Sequence, residues 1–189
     1  MAKLYFRHGT VGSAKTLNLL AVAHNYERQG KRVLVIKPRV DTRHGERRVA
    51  SRAGIERDAD IVVDDATVLD PAAFKGLDAV LVDEAQFLSP ALVDQLRELT
   101  HTTGVPIIAY GLRSDFRSHL FPGSRRLLEV ADSIEEVKTT CAYCGRKAIL
   151  NLKVVGGRAS HDGPSVEIGG DDLYRPVCYA HWREGSRGA

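Results

Sequence analysis

The sequence predicts an α/β protein: a parallel sheet carrying a phosphate-binding loop, followed by a small zinc-binding domain. Three features carry that prediction. The first is the stretch Gly9-Thr10-Val11-Gly12-Ser13-Ala14-Lys15-Thr16, set between a short apolar run and a helical segment. The second is a series of short apolar runs separated by stretches long enough for crossover connections, as parallel strands require. The third is the pairing of Cys141-Ala142-Tyr143-Cys144 with Cys178-Tyr179-Ala180-His181.

The first strand is short and apolar, Leu4-Tyr5-Phe6. The loop after it nearly matches the phosphate-binding pattern of Gly, four residues, Gly-Lys and Ser or Thr, with Ala14 where the second glycine belongs. Its backbone N–H groups and the helix N-terminus favour an anion. Lys15 can reach β- and γ-phosphates, and the Thr16 hydroxyl can ligate Mg²⁺. Ala14 is tolerated in a first helical turn and matters only if that position needs φ > 0 or lacks room for a methyl group. A helix over Thr16–Gln29, stopped at Gly30, leads to a buried strand Arg32–Lys37 that Pro38 ends, completing a βαβ unit.

Arg39 to Arg57 is polar and aperiodic and reads as a long loop. Asp41-Thr42-Arg43 lies just past the second strand, where ligands sit in open α/β sheets. Asp41 beside Mg²⁺ with Arg43 on phosphate, or a turn with solvated charges, both fit the spacing. Asp60–Asp64 is a further strand and Pro71–Phe74 a helical turn. Ala79-Val80-Leu81-Val82-Asp83-Glu84-Ala85-Gln86-Phe87 reads as a strand ending in two carboxylates. One carboxylate suits the Mg²⁺ shell and the other proton abstraction from a hydroxyl or water. Side-chain alternation along a strand gives them different faces. Ser89 and Pro90 start a helix that ends near Gly104, and Val105–Gly111 is the next core strand. Leu112–Pro122 is a polar loop whose Phe116 and Phe121 either line a pocket or fill the core. Ser124–Ala131 is helical, and a boundary near Val137 divides a nucleotide-binding domain, 1–137, from a zinc domain, 138–189.

Two C-x-x-C/H knuckles a hairpin apart make a tetrahedral Cys₃His zinc site of Cys141, Cys144, Cys178 and His181, using all three cysteines of the chain. Four protein ligands leave no open position, so the zinc is structural. Lys153 to Tyr174 is a β-type excursion tethered by that zinc and able to fold over a substrate.

Composition sets limits on these readings. At 189 residues the chain can bury roughly 70% of its unfolded surface. Hydrophobic and charged fractions of 43% and 27% are those of a globular protein. There is no run of roughly 20 apolar residues and no secretory core at the N-terminus, so no membrane partner and a cytoplasmic location are expected. A net charge of +3 without a basic stripe argues against a nucleic-acid partner.

Taken together and in order, these motifs resemble those of the compact, zinc-containing thymidine kinase family over almost the whole chain. The resemblance rests on Gly9–Thr16, Asp41-Thr42-Arg43, Asp83–Phe87, Asp115-Phe116 with Phe121-Pro122, both knuckles, and Ile168-Gly169-Gly170 with Tyr174. It implies a RecA-like sheet with a zinc-bearing lasso domain, a homotetramer, and ATP-dependent phosphorylation of the thymidine 5′-hydroxyl. It implies Glu84 as general base, Gly9–Thr16 on the ATP phosphates, and Asp83, Ala85 and Gln86 completing that site. Asp41 would lie near Mg²⁺ and Arg43 near phosphate. Val11, Phe87, Leu112, Phe116 and Phe121 would surround base and sugar. Ser165, Val166, Glu167, Ile168 and Gly169 would read the thymine edge, with Tyr174 beside them. Thymidine triphosphate would be the feedback inhibitor. Departures are Ala14, Thr10-Val11, and Tyr179 after Cys178. Two other readings compete: a P-loop ATPase acting on a macromolecule, for which Asp83–Gln86 is the sequence cue, and a zinc-binding interaction module whose loop has lost nucleotide at Ala14. Nucleic-acid-stimulated hydrolysis marks the first, and partner binding without ATP the second.

Overall fold

A computed structural model of the chain describes residues 2–160, 162–164 and 173–185. The apolar runs become a six-stranded sheet in the order β5-β2-β6-β7-β1-β8, every pair parallel. Its strands are β1 (Leu4–Gly9), β2 (Val33–Pro38), β5 (Ile61–Val63), β6 (Ala79–Val82), β7 (Ile107–Leu112) and β8 (Ser133–Glu136). The central strand β6 is buried at all four residues, as a strand covered on both faces must be. One face packs Leu4, Phe6, Val80 and Val82 under helices α2 (Pro90–Thr103) and α3 (Pro122–Val130). The other face packs Val35, Leu81, Ile108 and Tyr110 against α1 (Lys15–Arg28). Each such side chain contributes roughly 1.5–3 kcal/mol by leaving water. The expected Ser89 cap is present, its hydroxyl accepting the Leu92 N–H, and Gly104 ends α2 at φ +70°. Pro71–Phe74 is a 3₁₀ turn.

The structure departs from the sequence reading at several places. The Arg39–Arg57 segment is not all loop: β3 (Arg48–Ala50) and β4 (Glu56–Asp58) form an antiparallel hairpin. Val49 and Ala59 bury its base against α1, and the fully buried Lys37 donates to the carbonyls of Gly45 (2.9 Å) and Arg48 (2.7 Å). With three-residue strands, one buried side chain cannot produce a readable periodicity. Strand β8 was also unexpected, because its exposed edge carries Glu135 and Glu136 in place of an apolar run. Asp83 and Glu84 follow β6 and do not lie on it; Glu84 sits at φ +48°, capping a 3₁₀ turn Ala85–Phe87. A left-handed residue, and not strand alternation, separates the directions of the two carboxylates.

Beyond the large sheet, β9 (Leu150–Val155) pairs antiparallel with β10 (Arg158–Ser160) and β11 (Tyr174–Val177). Helix α4 (Tyr179–Gly185), absent from the sequence reading, follows the second knuckle. Leu150, Leu152 and Val177 pack with Cys141 and Cys178 in a small separate core.

Candidate active site

The carboxyl ends of β1, β2, β6 and β7 meet at one edge of the sheet, and each delivers a functional segment there. After β1 the chain turns through Gly12 (φ +69°) and Ala14 (φ +61°) into α1. Ala14 therefore occupies the conformation that favours glycine, so the departure from the usual pattern does matter, as strain of about 1 kcal/mol. Gly9 must be glycine for a different reason: a Cβ there would lie 2.4 Å from Ser13 Oγ and 2.6 Å from the Val137 carbonyl. Lys15 is buried, donating to the Thr10 carbonyl (2.7 Å) and Ser13 Oγ (3.2 Å). Burial pulls its ammonium down to about 8, against the opposing pull of Glu84 and Asp83. At that value the amine is still mostly charged near pH 7, and phosphate anions arriving beside it favour the charged form further.

The Thr16 hydroxyl donates to Asp83, 3.1 Å to Oδ1 and 3.3 Å to Oδ2. Burial and the neighbouring Glu84 raise the Asp83 carboxyl to about 7. A hydroxyl and a carboxylate in contact at a helix N-terminus are oxygen donors of the kind a hard divalent cation takes. Asp41, past β2, is held by Lys37 (3.4 Å) and by Arg43 Nε (2.7 Å). Burial raises its carboxyl, but Arg43 and Lys37 outweigh that and hold it below the usual range. Arg43 also ion-pairs with Glu84, and this pairing with both acids outweighs burial and raises its guanidinium. Glu84 accepts from the Gln86 amide, whose Oε1 in turn accepts the Leu112 N–H (2.9 Å). Of the three non-glycine residues with positive φ among those described, two, Ala14 and Glu84, stand at this edge.

These segments enclose a cavity of about 450 Å³, ample for a small ligand. Val11, Gly12, Ser13, Ala14, Lys15, Thr16, Asp41, Arg43, Asp83, Glu84 and Gln86 line one part of its wall, and Phe87, Leu112, Phe116, Phe121 and Tyr174 line another. Phe116 and Phe121 are buried, not exposed, and serve as both core and pocket wall. Phe87 and Phe121 meet edge to face at 5.9 Å, and the rings of Phe116 and Tyr174 lie tilted at 6.2 Å. Three predicted residues lie elsewhere. Gly9 and Thr10 border a smaller void beneath the loop, and Ala85 is buried, its carbonyl 2.6 Å from where a Gly123 Cβ would be. Ser165, Val166, Glu167, Ile168 and Gly169 lie outside the described residues. The cavity also takes in Arg52 from the hairpin, together with Asp115 and with Asn151 from β9, the last two not expected as site residues. Asn151 had a readable sign, a polar residue inside the apolar run Ile149-Leu150-Asn151-Leu152.

At the knuckles, Cys141, Cys144, Cys178 and His181 bring their ligand atoms within 4.8 Å of one another. Cys144 and Cys178 sulfurs are 3.9 Å apart, and His181 Nδ1 is 3.3 and 3.4 Å from the sulfurs of Cys141 and Cys178. Zn–S and Zn–N bond lengths in a tetrahedron require edges of about 3.8 and 3.5 Å. The donor set and its spacing fit structural zinc.

Such a sheet edge is that of a P-loop nucleotide-binding fold, with an aromatic-lined chamber opening beside the phosphate loop. The thymidine kinase family model matches residues 2–182. The chain is 45% identical to a thymidine kinase of Streptococcus gordonii and 44% identical to one of Lactiplantibacillus plantarum, over 96% of both chains in each case. It is 43% identical to one of Lactococcus lactis, over 96% of this chain and 97% of that one. The chain belongs to the thymidine kinase family, whose members are ATP-dependent nucleoside phosphotransferases. Membership removes support from the ATPase and interaction-module readings. Among the described residues no helix is long and apolar enough to cross a membrane.

Proposed function

We propose that this chain transfers the γ-phosphate of ATP to the thymidine 5′-hydroxyl at the carboxyl edge of its large sheet, with Glu84 as general base. The observation that carries this reading is the shared cavity: Lys15 and Thr16 line it together with Phe87, Phe116 and Phe121, and Glu84 lines the same wall. Lys15 and the loop amides take the donor phosphates. Thr16 and Asp83, with Asp41 behind them, would hold Mg²⁺, which neutralises charge on the phosphate oxygens when bound. Glu84, fixed by Arg43 and Gln86, takes the proton of the attacking hydroxyl. The aromatic wall and Tyr174 pack the nucleoside, and Ser165–Gly169 read its base edge. Residues 1–137 bind nucleotide and 138–189 close over the nucleoside. Thymidine triphosphate inhibits because it offers the base to the aromatic wall and a triphosphate to the loop. The family resemblance supports a homotetramer acting in the cytoplasm without a nucleic-acid partner.

The test is phosphate transfer from Mg-ATP by the purified protein, with thymidine, deoxycytidine and water as rival acceptors. Transfer to thymidine alone supports the reading. Hydrolysis without transfer, or no reaction with zinc bound and the fold intact, overturns it.

A further inference from the structure

We propose that Asn151 is a positioning residue for the phosphate loop, a strut by which the zinc-held sheet sets the distance between the donor loop and the nucleoside wall. This inference rests on the reading of the cavity as the phosphoryl-transfer site.

Asn151 is the second residue of β9 and is 3% exposed. Its neighbours Leu150 and Leu152 face the small core around Cys141 and Cys178. Strand alternation turns Asn151 to the opposite side, where it lines the cavity. There Asn151 Oδ1 accepts the Val11 N–H at 2.9 Å, and Nδ2 donates to the Ser114 carbonyl at 3.1 Å. One side chain thus joins three segments: the phosphate loop, the zinc-held sheet, and the turn that leads into Asp115 and Phe116. The amide assignment is unambiguous, because Val11 offers only a donor and Ser114 only an acceptor. A carboxylate, a hydrocarbon or an ammonium cannot answer both.

The loop depends on such a tie. It passes through two positive-φ residues, and its internal Ser13 N–H to Thr10 carbonyl contact is long, at 3.4 Å. Lys15 fixes the Thr10 carbonyl from inside, and Asn151 fixes the next amide from outside. Val11 also lines the cavity, so a shift of its backbone moves both the phosphate cradle and the pocket wall. On the far side the small sheet is held firmly where it matters. The Ile149 N–H donates to the Val177 carbonyl (2.9 Å), beside Cys178, and the Ala142 N–H, beside Cys141, donates to the Pro176 carbonyl (2.8 Å). The strut therefore rests on the metal centre at one end and on the donor loop at the other.

The test compares Asn151→Leu and Asn151→Asp with the natural protein. Amide hydrogen exchange of residues 9–16 is measured without nucleotide, together with zinc content and the separate affinities for ATP and thymidine. Leu fills the space with neither hydrogen bond, whereas Asp keeps the acceptor for Val11. We expect Asn151→Leu to exchange the loop amides about tenfold faster and to bind ATP about tenfold more weakly, with zinc content unchanged. We expect Asn151→Asp to keep loop protection close to that of the natural protein. Loop protection and ATP affinity within twofold of natural in Asn151→Leu would overturn the proposal. So would loss of zinc and of both ligand affinities together, which would mark a general packing role. If the natural protein transfers phosphate to thymidine while Asn151→Leu is unchanged, only the strut fails; if the natural protein transfers none, the underlying reading fails first.

Discussion

The loop end of the large sheet and the knuckle end of the small sheet reach order by different routes. The large sheet buries whole strands: Val80, Leu81 and Val82 on β6, with Leu4 and Phe6 on β1, are inaccessible to solvent. That surplus of apolar burial lets it hold Ala14 and Glu84 in left-handed conformations that cost roughly 1–2 kcal/mol each. The small sheet has Leu150, Leu152 and Val177, and two members of its core are cysteines placed as metal ligands. A core that small needs a cross-link. Strain is thus stored where burial is plentiful, and a Cys₃His cluster that fits a metal stands where burial is scarce.

The largest effect should come from breaking the weaker region. Stripping zinc with a chelator, or Cys178→Ser, should melt 141–155 and 174–182 while the large sheet stays folded, read by residue-resolved hydrogen exchange. Phosphate transfer should fall about a hundredfold or more, since Tyr174 and Asn151 leave the cavity. A single cooperative loss of both sheets would show that the two regions are not independently held.

A middle-sized effect sharpens the account of the loop end. Asp83 is raised to about 7 by burial and by Glu84. Its neutral form therefore predominates below that pH, and a neutral carboxyl is a poor cation ligand. Divalent-cation affinity in the presence of ATP should weaken as pH falls below about 7 and level off above it. Titration calorimetry from pH 5.5 to 8.5 reads this directly, and a flat profile would contradict it.

The smallest effect probes the strain itself. Ala14→Gly removes the Cβ that φ +61° disfavours. The relieved strain of about 1–2 kcal/mol, offset in part by the greater freedom of glycine in the unfolded chain, should leave a net gain approaching about 1 kcal/mol. For a chain of this length that is about 2–4 °C in Tm. A fall in Tm would mean that the Ala14 methyl group makes a contact that outweighs the strain.

The sequence was most legible where burial or chemistry is dense. The apolar runs at Leu34–Ile36, Val80–Val82 and Ile107–Ala109 read directly as strands, and the knuckle spacing pointed to four ligands that the fold brings together. The β3–β4 hairpin was illegible because its tie is a buried Lys37 bonding to backbone carbonyls, which leaves no apolar pattern. Edge strand β8 shows its charges to water for the same reason an edge tolerates them. At the site, motif residues were readable because phosphate chemistry restricts them, whereas Asn151 acts through two main-chain partners at positions 11 and 114 that no local pattern links to it. The left-handed Glu84 was hidden too, since a carboxylate at the end of a strand carries no mark of its backbone angle.

The most direct test of the central claim is single-turnover transfer by Glu84→Gln, with ATP and thymidine affinities measured alongside. The amide keeps the shape of the side chain and cannot accept the proton. Transfer should fall about 10²–10⁴-fold while both affinities stay within about threefold of natural. Transfer near the natural rate would contradict Glu84 as the base and would require another group at the sheet edge to take the proton.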